Sequence, residues 1–103
     1  MKLPKHVGIY LDYFGYDVNS WIACECGCGQ QAVDINHIKP KGMGGSKSMD
    51  FIENLMAMCR GCHQKYGDNQ GDFEYLVLKH AGAMQLDFET VKERILTVHY
   101  NRK

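Results

Sequence analysis

Charge of one sign is missing from this chain: 12 Lys and Arg residues face 12 Asp and Glu, a formal net charge of zero over 103 residues. A partner recruited by overall positive charge is therefore a poor fit, and any attraction for phosphate has to be local. Long apolar runs are missing too, which excludes a helical membrane span. Asp12 arrives before an apolar leader segment can develop, so secretion is not expected and a reducing compartment, the cytoplasm, is. Proline is scarce, at two residues, and no internal repeat, low-complexity tract or long linker divides the chain. One domain over residues 1–103 is expected, small enough that an additional staple would help it hold together.

Cysteine is what the chain has in place of these things. There are five, an odd number, grouped as Cys24-Glu25-Cys26-Gly27-Cys28-Gly29 and Cys59-Arg60-Gly61-Cys62. In a reducing compartment close-spaced thiols are metal ligands more often than disulfides. Two pairs supply the closed tetrahedral thiolate shell of a structural zinc ion, and the first group offers one thiol more than a pair needs. The pairs bracket Asp34-Ile35-Asn36-His37-Ile38, and His63 follows the last cysteine. Nitrogen and oxygen ligands beside such a clip could hold a second, reactive cation with open positions. His37 and His63 are each tied to one wall of the clip and are expected to be drawn together. His6, His80 and His99 lie outside it and receive no role.

Local pattern predicts a small α+β fold. Val7, Tyr10, Leu11 and Phe14 have helical spacing, although helix and strand are close to balanced there and the helix is the preferred reading. Ala32 to His37 and Leu55 to Met58 predict a hairpin with a long loop, and Arg60 to Tyr66 a short helix. Helices of about 72–80, capped by Asp72, and 87–99, capped by Asp87, complete the chain as packing elements. The loop between the strands carries Pro40, Gly42, Gly44, Gly45, Ser46 and Ser48, which favour turns and exposure. It is not a nucleotide-binding loop of the Walker type, because lysine does not directly follow its last glycine and no strand and helix flank it. Lys39, Lys41, Lys47, Arg60 and Lys65 give the region a local positive field.

Taken together, Cys28-Gly29, Asp34-Ile35-Asn36-His37-Ile38, Gly42-Met43-Gly44-Gly45-Ser46, the run Ile52 to Cys59 and Cys62-His63 resemble the HNH endonucleases of the ββα-metal superfamily, most closely small phage-encoded members. The resemblance covers residues 24–68. It implies a treble-clef-like hairpin and helix stapled by zinc, and a metal-dependent endonuclease that hydrolyses DNA phosphodiesters. It also favours Cys24 and Cys28 as the first zinc pair with Cys59 and Cys62 as the second, Cys26 being the alternative ligand. His37 matches the general base, and Asn54 the central asparagine that holds the long loop against the hairpin. His63 and Asn36 match ligands of a catalytic divalent cation, magnesium or manganese by default, with nickel, cobalt and zinc also compatible with imidazole. Asn36 departs from the family's usual histidine or aspartate, and a neutral amide is a weaker ligand; Asp34 and Asp68 are acidic residues able to assist. The basic residues Lys39, Lys41, Lys47, Arg60 and Lys65 would contact DNA phosphates. A monomer or a homodimer fits equally. The competing expectation is a non-catalytic treble-clef zinc module that binds nucleic acid or protein.

Overall fold

A computed structural model describes residues 4–39, 49–66 and 72–101, with side chains through 98. Lys41, Lys47, Asp68 and the glycine-rich run 42–48 lie outside the described residues. In chain order the elements are α1 (Lys5–Phe14), β1 (Asp34–His37), a 3-10 turn (Ile52–Asn54), β2 (Leu55–Met58), α2 (Arg60–Tyr66), α3 (Phe73–Met84) and α4 (Phe88–Asn101). The small α+β fold with a hairpin, following helix and four-cysteine cluster is the one the sequence predicts. No helix among the described residues is long and apolar enough to cross a membrane.

The strands pair antiparallel with Asp34 opposite Met58, Ile35 opposite Ala57, Asn36 opposite Met56 and His37 opposite Leu55. Side chains alternate between faces along a strand, so Ile35, His37, Leu55 and Ala57 share one face while Asp34, Asn36, Met56 and Met58 share the other. An isolated two-stranded hairpin is marginal in water, and here both faces are covered. On the first, Tyr10 of α1 forms a buried cluster with Leu55 and Ala57, joined by Ile9, Phe14 and Ile35. On the second, Met56 and Met58 pack with Leu76, Val77 and Ala81 of α3 and Val91 and Ile95 of α4. All four residues of β2 are fully buried, at about 1.5–3 kcal/mol for each large apolar side chain.

The first segment resolves as helix because its apolar stripe has this face to cover, and Gly15, at φ 75°, ends it. The C-terminal helices run further than expected, α3 to Met84 and α4 to Asn101. Helix α3 continues because His80, Ala81 and Met84 are all buried, and it stops at Gln85, whose φ of 60° lets its N–H reach back to the carbonyls of Ala81 and Gly82. Asp87 caps α4 through the Thr90 N–H at 2.8 Å, whereas Asp72 sits at the start of α3 without a side-chain capping bond.

One polar network joins the two faces. Glu25 Oε1 lies 2.7 Å from His80 Nδ1, and the opposite ring nitrogen of His80 lies 2.7 Å from the Ile52 carbonyl. Glu25 Oε2 accepts hydrogen bonds from the Tyr10 hydroxyl and, at 3.1 Å, from the Ala57 N–H. The His80 side chain is 0% exposed and that of Glu25 4%. A buried carboxylate is tolerated only when its lone pairs are satisfied, and α1, β2 and α3 all contribute to satisfying this one. Burial and the adjacent Glu25 carboxylate push the Tyr10 phenol well above its ordinary value, so Tyr10 stays a donor.

Candidate functional site

The cysteine clip begins with a tight turn. Ala23 bridges Gln31, the Cys24 N–H bonds the Gln30 carbonyl at 2.9 Å, and Gly27 and Gly29 adopt φ of 79° and 84°, values that disfavour any side chain. This turn and the start of α2 bring the sulfurs of Cys24, Cys28, Cys59 and Cys62 within 4.8 Å of one another. Cys28 lies 3.7 Å from Cys59 and 3.8 Å from Cys62, sulfur to sulfur. Zinc–sulfur bonds near 2.3 Å in a tetrahedron require an edge of about 3.8 Å, so this donor set fits zinc. The Cys62 N–H donates to Cys59 Sγ at 3.4 Å, and this bond, ahead of those from neighbouring thiols, draws the Cys59 thiol down to about 7. Cys26 packs against the second-face core instead, and burial pushes its thiol up to about 11.

A second group of polar side chains lies on the same face, where β1 meets α2. Asp34 Oδ2 is 2.9 Å from His63 Nδ1, and the Arg60 guanidinium forks onto the same carboxylate at 3.0 and 3.3 Å. Burial works to raise the Asp34 carboxyl, but the hydrogen bonds from His63 and Arg60 together outweigh it and hold it below the usual carboxylate value. Asp34, Arg60, His63 and Gln64 line an open cleft. Asn36, on the same face of β1, is 7% exposed, and its amide nitrogen has no hydrogen-bond partner among the described residues. Such an orphan costs about 1–3 kcal/mol, which points to a polar occupant for that spot. A half-turn of the amide would present an oxygen to it.

His37 faces the other way. Its Nε2 lies 2.7 Å from Asp50 Oδ1, and its ring sits 4.8 Å from that of His6, centroid to centroid. His37 thus groups with His6 and Asp50, and His63 with Asp34 and Arg60. The reason is the period of two along β1, which sends residues 36 and 37 to opposite faces. Next to His37, Asn54 is fully buried and closes the long loop. It accepts from the Lys39 N–H at 2.8 Å and donates to the carbonyls of Lys39 at 2.9 Å and Met49 at 3.1 Å, holding both ends of the loop beside β2.

Of the basic residues expected at a phosphate backbone, Arg60 is 67% exposed although paired with Asp34. The ammonium of Lys39 lies over the Phe73 ring at 4.9 Å, and that of Lys65 over Tyr66 at 5.2 Å. Sequence reasoning missed Asp50, His6 and His80, and named Asp34 only as an acid able to assist. Asp34 was legible as an acid two positions before Asn36 and so on its face. Asp50 carried no signal beyond its place at the end of the loop. His6 and His80, given no role, are brought in by α1 and α3, whose packing no local pattern discloses.

No curated protein and no solved structure matches the chain. The family model for HNH endonucleases matches residues 24–69, the segment that holds both cysteine pairs, the hairpin, Asn54, His63 and His37. The chain thus carries an HNH endonuclease domain over residues 24–69, a family assignment that implies metal-dependent nuclease activity.

Proposed function

We propose that residues 1–103 act as one domain, a DNA endonuclease that hydrolyses phosphodiesters to 5′-phosphate and 3′-hydroxyl ends. The observation that carries this reading is the arrangement around β1: an oriented imidazole on one face and an imidazole with a carboxylate and an amide on the other. In-line displacement at phosphorus needs the proton acceptor and the stabiliser of the leaving oxygen at opposite ends of the reacting group, and adjacent residues of one strand provide opposite directions. Asp50 fixes the His37 ring through Nε2 and leaves Nδ1 to take the proton from the attacking water. His63, Asn36 and Asp34 are the donors that would hold a divalent cation, magnesium or manganese first, with nickel, cobalt and zinc compatible with the imidazole. Such an ion, when bound, neutralises charge on the phosphate and on the departing 3′ oxygen. Asn36 is a weaker ligand than histidine or aspartate and is expected to lower metal affinity. Cys24, Cys28, Cys59 and Cys62 hold a structural zinc that fixes the start of α2, and hence His63, against β1. Arg60, Lys39 and Lys65, with Lys41 and Lys47 of the loop, contact phosphates and confer affinity with little choice of sequence.

A non-catalytic zinc module that binds nucleic acid is the second reading, favoured by the Arg60 guanidinium seated on Asp34 where a cation would otherwise sit. Nicking of supercoiled plasmid in magnesium, manganese, nickel and zinc separates the two. Cleavage by the wild type, reduced at least about 100-fold in His37→Ala with zinc content intact, is expected of a general base. Equal cleavage by both proteins rules out His37 in that role, and cleavage by neither leaves the binding module.

A further inference from the structure

Beyond the zinc clip, the described residues contain a second group able to hold a metal ion. Ligand atoms of His6, His37 and Asp50 all lie within 4.8 Å of one another. The three come from separate elements: His6 from the first turn of α1, His37 from the end of β1, and Asp50 from the segment before the 3-10 turn. Each is held in place. Tyr10, Ile9 and Phe14 pack α1 on the hairpin, His37 is paired with Leu55 in the ladder, and Asp50 is 9% exposed beside the Asn54 clasp. Metal–nitrogen bonds near 2.1 Å ask for tetrahedral ligand separations of about 3.4 Å. The present spacings bracket that value: His37 Nε2 and Asp50 Oδ1 are 2.7 Å apart, a contact an ion would open, and no ligand atom is more than 4.8 Å from another.

We infer that His6, His37 and Asp50 form a transition-metal site that switches the domain off: an ion of the zinc, cobalt or nickel class binds the three side chains and occupies the lone pair with which His37 would accept a proton. Two imidazoles and one carboxylate select such ions over magnesium and calcium, which favour all-oxygen shells. With three protein ligands, the remaining position goes to water, as in open zinc sites. His6 takes no part in the proposed hydrolysis, so its place in this group serves the metal and not the reaction. The inhibitory consequence rests on the nuclease reading, whereas binding of the ion does not.

Binding is read without any cleavage assay. His63→Ala chains, in which the cleft at Asp34 has lost its imidazole, are dialysed against zinc at low micromolar concentration and compared with His6→Ala/His63→Ala and His6→Gln/His63→Ala chains. The expected result is one additional zinc per chain in the parent, with nitrogen and oxygen neighbours in its X-ray absorption spectrum, absent from both double variants while the thiolate-bound zinc and the melting temperature are unchanged. Equal zinc content in all three overturns the site. In magnesium- or manganese-supported nicking, the His6→Ala protein is expected to need at least about tenfold more zinc for half inhibition, the scale on which weakening a metal's surroundings acts. Inhibition unchanged by His6→Ala, or zinc that supports cleavage through this group, overturns the inhibitory role. Absence of cleavage in every metal counts against the nuclease reading alone, since the zinc content still decides the site.

Discussion

The two faces of the hairpin take alternate residues of the same two strands yet solve different problems. The face toward α1 is closed by Tyr10, Leu55 and Ala57 and ends in His37, whose ring is already fixed by Asp50. The face toward α2, α3 and α4 has the larger core, but at its rim it carries an orphaned amide on Asn36 and a carboxylate shared between Arg60 and His63. One face is preorganised and the other is left unsatisfied. A ring bonded to a buried carboxylate keeps a fixed direction, whereas a buried amide nitrogen with no partner among the described residues carries a cost that a polar neighbour would remove.

The comparison can be broken most severely from the second face. Cys59→Ser removes one sulfur of the clip; because structural zinc sites contribute about 10–16 kcal/mol of apparent binding energy, more than most small domains have in reserve, the variant is expected to lose its zinc and to unfold near room temperature. Metal content and circular dichroism measure this, and a folded variant with one zinc per chain contradicts it. Next in size is the tie between the faces. Glu25→Ala leaves His80, Tyr10 and the Ala57 N–H without their common acceptor and is expected to cost about 3 kcal/mol or more, because several buried polar groups lose their partner at once, read from urea denaturation. A loss below about 1 kcal/mol would show that the faces hold together without it.

Asn54→Ala acts where the faces meet the loop. It strands the polar groups of Lys39 and Met49 and is expected to cost about 1–3 kcal/mol, with faster amide exchange at Lys39 but not in α4. Smallest is Asp34→Asn, at about 1 kcal/mol or less, because the partner Arg60 is largely in solvent. Its sign depends on pH. The Asp34 carboxyl is held below the usual value, so its contribution is present above the ordinary aspartate range and disappears as pH falls through the depressed folded value. Urea midpoints of wild type and variant should differ near neutrality and converge in acid. A difference that grows in acid reverses the assignment.

How far the sequence discloses this arrangement follows from the range of each interaction. Leu55–Met58 and Arg60–Tyr66 are fixed by local pattern and coincide with the observed β2 and α2. That the two cysteine groups meet at one metal was legible from their spacing, whereas the choice of Cys24 and Cys28 over Cys26, which the clustered sulfurs match, came from the family resemblance. Which acid meets His63 was not, since strand alternation selects Asp34 only once the partner helix is known to lie on that face. His80 reads like any histidine on an amphipathic helix, and only the approach of Glu25, 55 positions earlier, gives it a function in the core. Asp50 and His6 are likewise defined by contacts between elements distant in the chain.

The clasp made by Asn54 has a consequence for length. Because one side chain binds Lys39 at one end of the loop and Met49 at the other, the hairpin senses the two ends and not the number of residues between them. Lengthening such a connection costs little, about 0.6 kcal/mol for each doubling. The connection between residues 39 and 49 is therefore the place where this domain can accept a longer or chemically different insert while β1, β2 and everything mounted on them stay in register.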